Sequence, residues 1–245
     1  MKYYRLILSL VLLLSVQTLY AQPFDTLKRT IAAGMDWVQI RGNKTILAEG
    51  MLKGGLREAT WTSYWDTGFP HEIQSYWNGK KNGIAIISGA DGFIEQMMNY
   101  AQDSLDGPWR FYNKGAFILE ECYYKMGVKE GPYTKWYTNG QKQESSYYHK
   151  GLKNGISTWY YENGKQAAIY PYKEGALHGE VVLYNTQEVK ISVQHYVNGI
   201  AEGLSLEYYD NGQLKSKGSY QQGEKKGNWV YYLENGKLDH KEQLK

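Results

Sequence analysis

The chain has 245 residues, a formal net charge of +3 and a single cysteine. So small a charge argues against nucleic acid as a partner, because that normally calls for a strong basic patch. Cys122 cannot close an internal disulfide, so a chain of this size holds itself together by a core or by repetition.

Met1-Lys2-Tyr3-Tyr4-Arg5 is a short basic start, and Leu6 to Val16 is an apolar run broken only by Ser9 and Ser15. Gln17 to Ala21 then turns polar and small, a layout that reads as a secretory signal peptide over residues 1–21, cut after Ala21. The run is about half of the ~20 apolar residues a membrane span needs; a retained anchor is the alternative use of the same residues. No cysteine follows the run, so no lipid anchor is suggested. Cleavage would remove Lys2 and Arg5 and take the net charge from +3 to +1. The expected destination is the periplasm, the cell envelope or the exterior. Residues 22–34 form either a linker or a short N-terminal cap.

From there a ruler runs down the chain. Gly83, Gly107, Gly131, Gly155, Gly179, Gly203 and Gly227 stand 24 residues apart without an insertion, and the same step backwards lands on Ala59 and Met35. Other columns keep the phase. Two places on stand Trp37, Trp61, Trp109, Tyr133 and Trp229; five places on stand Tyr64, Tyr112, Trp136, Tyr160, Tyr184, Tyr208 and Tyr232. Glycines recur nine and twenty places on, and Tyr76, Tyr100, Tyr124, Tyr148, Tyr172, Tyr196 and Tyr220 recur seventeen places on. Columns locked in phase at one period mark a repeat protein, so residues 35–245 are expected to be one array whose last unit is truncated as a cap.

Turn chemistry assigns the unit. Asn139-Gly140, Asn163-Gly164, Asn211-Gly212 and Asn235-Gly236 lie between aromatic runs such as Trp159-Tyr160-Tyr161. Asn-Gly suits a type I′ turn, and the flanking residues favour strands. A second glycine-bounded turn, such as Lys150-Gly151, completes the unit and leaves no room for a helix of ordinary length. The expected fold is all-β: an elongated single-layer antiparallel meander of 24-residue β-hairpins, each stabilised by its neighbours. Position five of each unit is expected to stack on position five of the next. The charged tail, Lys237 to Lys245, suits a cap on the last edge strand.

Tyr160-Tyr161-Glu162-Asn163-Gly164-Lys165 and Tyr208-Tyr209-Asp210-Asn211-Gly212-Gln213-Leu214 resemble the bacterial variant of the MORN repeat, in which a Tyr-Tyr-x-Asn-Gly core is followed by Tyr-x-x-Gly-x-x-x-Gly, as in Tyr148 to Gly155 and Tyr220 to Gly227. The resemblance covers residues 59–245 well and 35–58 loosely. It implies a twisted single-layer sheet of hairpins and a role in interaction rather than catalysis. It also implies an antitoxin-like alternative, since some bacterial members carry that label.

Two units depart from the pattern. In residues 83–106 the aromatic slots hold Ala85, Ser88 and Gly89, and in residues 179–202 Gln187-Glu188 replaces Asn-Gly. Drift in units carried by their neighbours is one reading; a partner site where the surface changes is the other.

No catalytic set is readable. His71, His149, His178, His195 and His240 share no phase, and neither a His-Glu-x-x-His nor a Cys-x-x-Cys spacing occurs. Gly89-Ala90-Asp91-Gly92 is a turn rather than a phosphate loop, and a Gly-x-Ser-x-Gly elbow is missing. No enzyme activity, cofactor or metal is expected. The position-five rings Tyr112, Trp136, Tyr160, Tyr184 and Tyr208 form the candidate binding stripe, while Gly140, Gly164, Gly212 and Gly236 are assigned to structural turns. A protein partner is the leading expectation, with a glycan or cell wall as the alternative bound through exposed aromatics. Contact with a membrane surface has little support from a charge of +1.

Overall fold

Strand-favouring runs and glycine-bounded turns alternate along the chain, and together they make one sheet. The computed structural model describes residues 24–42 and 45–245; the expected signal peptide lies outside them. Among the described residues there is no helix, and the strands are β1 (Asp25–Ala32), β2 (Met35–Gly42), β3 (Thr45–Lys53), β4 (Leu56–Tyr64), β5 (Pro70–Trp77), β6 (Lys80–Ser88), β7 (Ile94–Ala101), β8 (Ser104–Tyr112), β9 (Ile118–Lys125), β10 (Val128–Trp136), β11 (Lys142–His149), β12 (Leu152–Lys153), β13 (Gly155–Tyr160), β14 (Gln166–Lys173), β15 (Ala176–Leu177), β16 (Gly179–Tyr184), β17 (Lys190–Val197), β18 (Ile200–Tyr208), β19 (Leu214–Gln221), β20 (Glu224–Tyr232) and β21 (Leu238–Leu244). Each pairs antiparallel with its neighbour in sequence, so the array is an uninterrupted meander. The pairs β12–β13 and β15–β16 each act as one strand broken just before the ruler glycine, at Asn154 and His178. The edges are β1, made from residues expected as linker or cap, and the charged β21.

The two turns of a unit differ, and the type I′ expectation for Asn-Gly is corrected. Gly140 N–H donates to Tyr137 O at 3.0 Å and Tyr137 N–H to Gln141 O at 2.8 Å, which is a type I turn closed by one left-handed residue. Gly140, Gly164, Gly212 and Gly236 have φ of 85, 81, 83 and 80°, while the asparagines before them are not left-handed. Asn139 instead accepts the N–H of Gln141 on its side-chain oxygen at 2.9 Å. One extra residue then bulges from the returning strand: Lys135 faces Glu144, but Trp136 faces Lys142. The type I′ geometry sits at the other rim, where Lys150 and Gly151 have φ of 50 and 82° and His149 pairs with Leu152. The molecule thus has a bulged-turn rim and a tight-turn rim.

The strict ruler has a physical cause, because each turn bonds to the same turn one unit away. At the tight rim Gly151 N–H donates to Lys129 O and Gly175 N–H to Lys153 O, both at 2.9 Å. Carboxylates reinforce this: Glu130 accepts from Lys150 N–H at 2.7 Å, and Glu58 from Asn78 N–H at 2.8 Å. An inserted residue would leave such groups without partners, and unpaired backbone groups are costly.

One face carries the core. A continuous column runs Val38, Gly50, Trp61, Gln74, Ala85, Met98, Trp109, Cys122, Tyr133, Ser146, each opposite the next across the strands. It is the most buried part of the sheet, with Trp61 6 %, Cys122 1 % and Trp229 1 % exposed. Large and small alternate: a Cβ on Gly50 would overlap the ring of Trp61, and one on Gly218 the ring of Trp229. Cations cover the column from the tight rim. Arg57 lies 4.7 Å over Trp61, Lys129 5.1 Å over Tyr133 and Lys225 4.1 Å over Trp229. Trp37 leaves the position-two column, and its neighbour Val38 takes the place opposite Gly50. Elsewhere a left-handed residue at the ruler position, Gly131 at 102° or Ala59 at 54°, puts a bulge in the strand and shifts its register; Met35 is not left-handed, so β2 presents its faces one residue out of phase.

Candidate binding surface

The position-five rings and their neighbours at position six divide the work of the Tyr-Tyr core. Tyr112, Trp136, Tyr160, Tyr184 and Tyr208 are half-buried next to the bulged-turn rim. They do not stack on one another, and the expected ladder is corrected. The close ring pairs among the described residues are Trp65–His71, Trp109–Phe111, Tyr133–Tyr148, Tyr220–Trp229, Trp229–Tyr231 and Tyr231–His240. Equivalent residues of successive hairpins stand two strands apart, about 9–10 Å, with a returning strand between them. That is beyond stacking distance.

Position six makes the link instead. Tyr137 donates its hydroxyl to Tyr160 O at 2.8 Å, Tyr161 to Tyr184 O at 2.6 Å and Tyr209 to Tyr232 O at 2.8 Å. In the first complete unit Trp65 does the same to Ser88 O through its ring N–H at 2.8 Å. Asn139 adds a side-chain bond to Glu162 O at 2.8 Å. This row of side chains stitches the bulged-turn rim from unit to unit.

The stitch is missing where position six holds Gly89 and then Asn113. Gly89 has no side chain, and Asn113 turns back to accept the N–H groups of Gly115 and Phe117 at 2.9 and 3.0 Å. A hollow of about 380 Å³ opens there, lined by Phe93, Ile94, Phe111, Tyr112 and Leu119 with Asp91, Glu95, Asn113 and Lys114. Its mouth is apolar, with Phe93 49 %, Ile94 41 % and Phe111 36 % exposed. Phe69, Phe93 and Phe117 occupy position ten of three successive units. This row keeps the 24-residue ruler in the sequence but stands outside the expected stripe.

A second hollow of about 440 Å³ lies on the core face at residues 159–191, floored by Ala167 and Ala168 and walled by Trp159, Tyr170, Tyr172, Leu183 and Tyr184. Of the expected stripe, therefore, Tyr112 borders the first hollow and Tyr184 the second. Both hollows touch the units that depart from the pattern. At Glu188 the departing turn keeps the repeat's geometry, with φ of 67° where other units place glycine.

Reactive side chains are engaged elsewhere. Cys122 is buried and burial pushes its thiol up, which disfavours the nucleophilic thiolate. His71 packs on Trp65 at 4.1 Å, His149 and His240 contact Glu130 and Asp239 at 2.8 Å, and His195 bonds Glu202 O at 3.1 Å. Among the described residues no group of three or more His, Cys, Asp or Glu could hold a metal ion. The buried Glu144 is paired with Lys153 and accepts from Ser146, which also bonds Ser157 at 2.7 Å, so this cluster satisfies itself within the core column. Tyr133 beside it is held well above the usual phenol range, by burial first and then by the charges of Glu120 and Glu144.

No curated protein matches the chain. A family model does: residues 129–150, 153–174 and 201–222 each match the MORN repeat variant. These stretches run through the bulged turns and the strands on either side of them, so the matched repeat and the observed strand period coincide. Over these three stretches the chain is similar to the MORN repeat variant.

Proposed function

We propose that this chain is an exported, non-enzymatic repeat protein that binds a protein partner and acts as a scaffold at the cell envelope. The observation that carries the reading is the apolar hollow on the bulged-turn rim, where two successive units drop the stitching aromatic and expose phenylalanine. Exposed apolar patches of this kind on a soluble surface mark interaction sites. The MORN repeat variant match supports a binding or scaffolding role. The signal-peptide layout of residues 1–21 supports export.

Pull-down from the native envelope fraction tests this. Recovery of one protein in stoichiometric amount supports the reading. The aromatic hollow at residues 159–191 favours a glycan as the second reading, since its ring walls suit a sugar face. Retention on peptidoglycan or polysaccharide without a protein partner would favour that reading and overturn the first.

A further inference from the structure

We propose that the hollow between residues 89 and 119 receives a partner segment that presents an apolar side chain flanked by lysine or arginine. This deepens the reading above and rests on it. The lining sets the apolar half of the requirement. Phe93, Ile94, Phe111 and Leu119 offer a greasy recess of about 380 Å³, inside the ~300–1,000 Å³ range of sites that enclose a ligand group. Phe69 extends the surface, since its ring lies against Gly92, the residue before Phe93.

Charge sets the other half. Asp91 and Glu95 line the hollow, and Asp66 stands in the adjoining turn, which is tied to this one by the bond from Thr67 to Ala90 O at 2.9 Å. Against these three carboxylates stands one cation, Lys114, which pairs with Asp91 at 2.6 Å and also feels the charge of Glu95, so the lining keeps a surplus of negative charge. Glu95 makes no ion pair among the described residues, and a Cβ on Gly89 would stand 2.8 Å from the Asp91 carboxylate and 2.9 Å from that of Glu95, so the two acids crowd the place where a position-six side chain would begin. The same glycine therefore opens the recess and leaves an acid at its lip. An apolar recess with surplus negative charge favours a basic, apolar segment and repels an acidic one.

The test uses the whole protein and two synthetic peptides, Lys-Leu-Phe-Lys-Leu-Phe-Lys and the same sequence with glutamate in place of lysine, titrated by fluorescence anisotropy. The basic peptide should bind, and the acidic one at least about tenfold more weakly, which is about 1.4 kcal/mol. Phe93→Ser should weaken the basic peptide by about tenfold or more. Glu95→Lys, an exposed change that spares the packing, should weaken the basic peptide and strengthen the acidic one. Equal binding of both peptides, no binding of either, or indifference to Glu95→Lys overturns the proposal. The envelope pull-down with the Phe93→Ser/Glu95→Lys double variant separates the two readings. A partner lost with the variant supports both; a partner retained refutes this site while the protein-binding reading stands. If the parent recovers no partner the protein-binding reading falls, and the peptide titration alone decides the chemistry of the hollow.

Discussion

The hydroxyl of Tyr161 donates to the backbone carbonyl of Tyr184, 23 residues on and 2.6 Å away. Tyr137 and Tyr209 repeat the bond to Tyr160 and Tyr232, so the second tyrosine of each core ties one hairpin to the next. A repeat array gains its stability from such interfaces, because no hairpin is stable alone. Tyr161→Phe keeps the ring and removes only the donor. It should cost about 1 kcal/mol, the net worth of one hydrogen bond. Urea unfolding checks this, with amide exchange of Tyr184 and its neighbours expected to quicken locally.

The column on the core face makes a sharper prediction. Gly218 has room for no side chain while Trp229 lies over it, so Gly218→Ala in the parent should cost about 1–3 kcal/mol by overpacking. Ser205 already fills position two in the preceding unit, so Trp229→Ser imitates a unit the array tolerates. In that background Gly218→Ala should be nearly neutral. A double-mutant cycle by urea unfolding measures the coupling, and additive costs would refute size complementarity in the column.

Left-handed residues that are not glycine offer improvements. Ala116 and Glu188 have φ of 61 and 67° at the place where Gly140 and Gly164 stand in their own units. That conformation strains an L-residue by about 1–2 kcal/mol, and glycine gives back about 0.4–1 kcal/mol in unfolded-chain entropy. Ala116→Gly and Glu188→Gly should therefore each stabilise by about 0.5 kcal/mol. Gly164→Val, at φ of 81°, should cost about 2–3 kcal/mol. Thermal and urea unfolding of the three variants check the opposite signs.

Alkaline pH should loosen the sheet. Burial, then the bond and charge of Glu49, push the Tyr64 phenol up to about 12 from 10.0. Tyr124, Tyr133, Tyr148, Tyr170 and Tyr172 are raised as well, in each case by burial first. A raised folded pKa means that the folded form holds its proton longer than the unfolded one. The stabilisation is complete below pH 10 and is lost as pH climbs through 10 towards 12. Urea midpoints should be flat from pH 8 to about 10 and fall above it, with part of the tyrosinate absorbance appearing only on unfolding.

Export has its own check. Mass spectrometry of the natural protein should find an N-terminus at or near Gln22, with residues 1–21 removed. A cytosolic chain beginning at Met1 would end the envelope proposal.

The 24-residue ruler, the hairpin unit and the all-β meander were legible in the sequence because every unit repeats the same local chemistry: glycine where φ is positive, aromatic residues where strands run. The sequence also marked residues 83–106 as irregular through Ala85, Ser88 and Gly89. It did not say which turn took which geometry. Asn-Gly is compatible both with a type I′ turn and with the last two places of a type I turn, and the bulged return of the strand decided for the second. It could not place the position-five rings either, since a period in sequence says nothing of the returning strand between Tyr160 and Tyr184. Nor did it show that Trp37 yields its column to Val38, a switch that follows from a missing bulge in β2. The hollow at Phe93 belongs to tertiary structure for the same reason. It is made by what Gly89 and Asn113 fail to reach, and reach across a sheet depends on register and strand spacing, which exist only once the chain is folded.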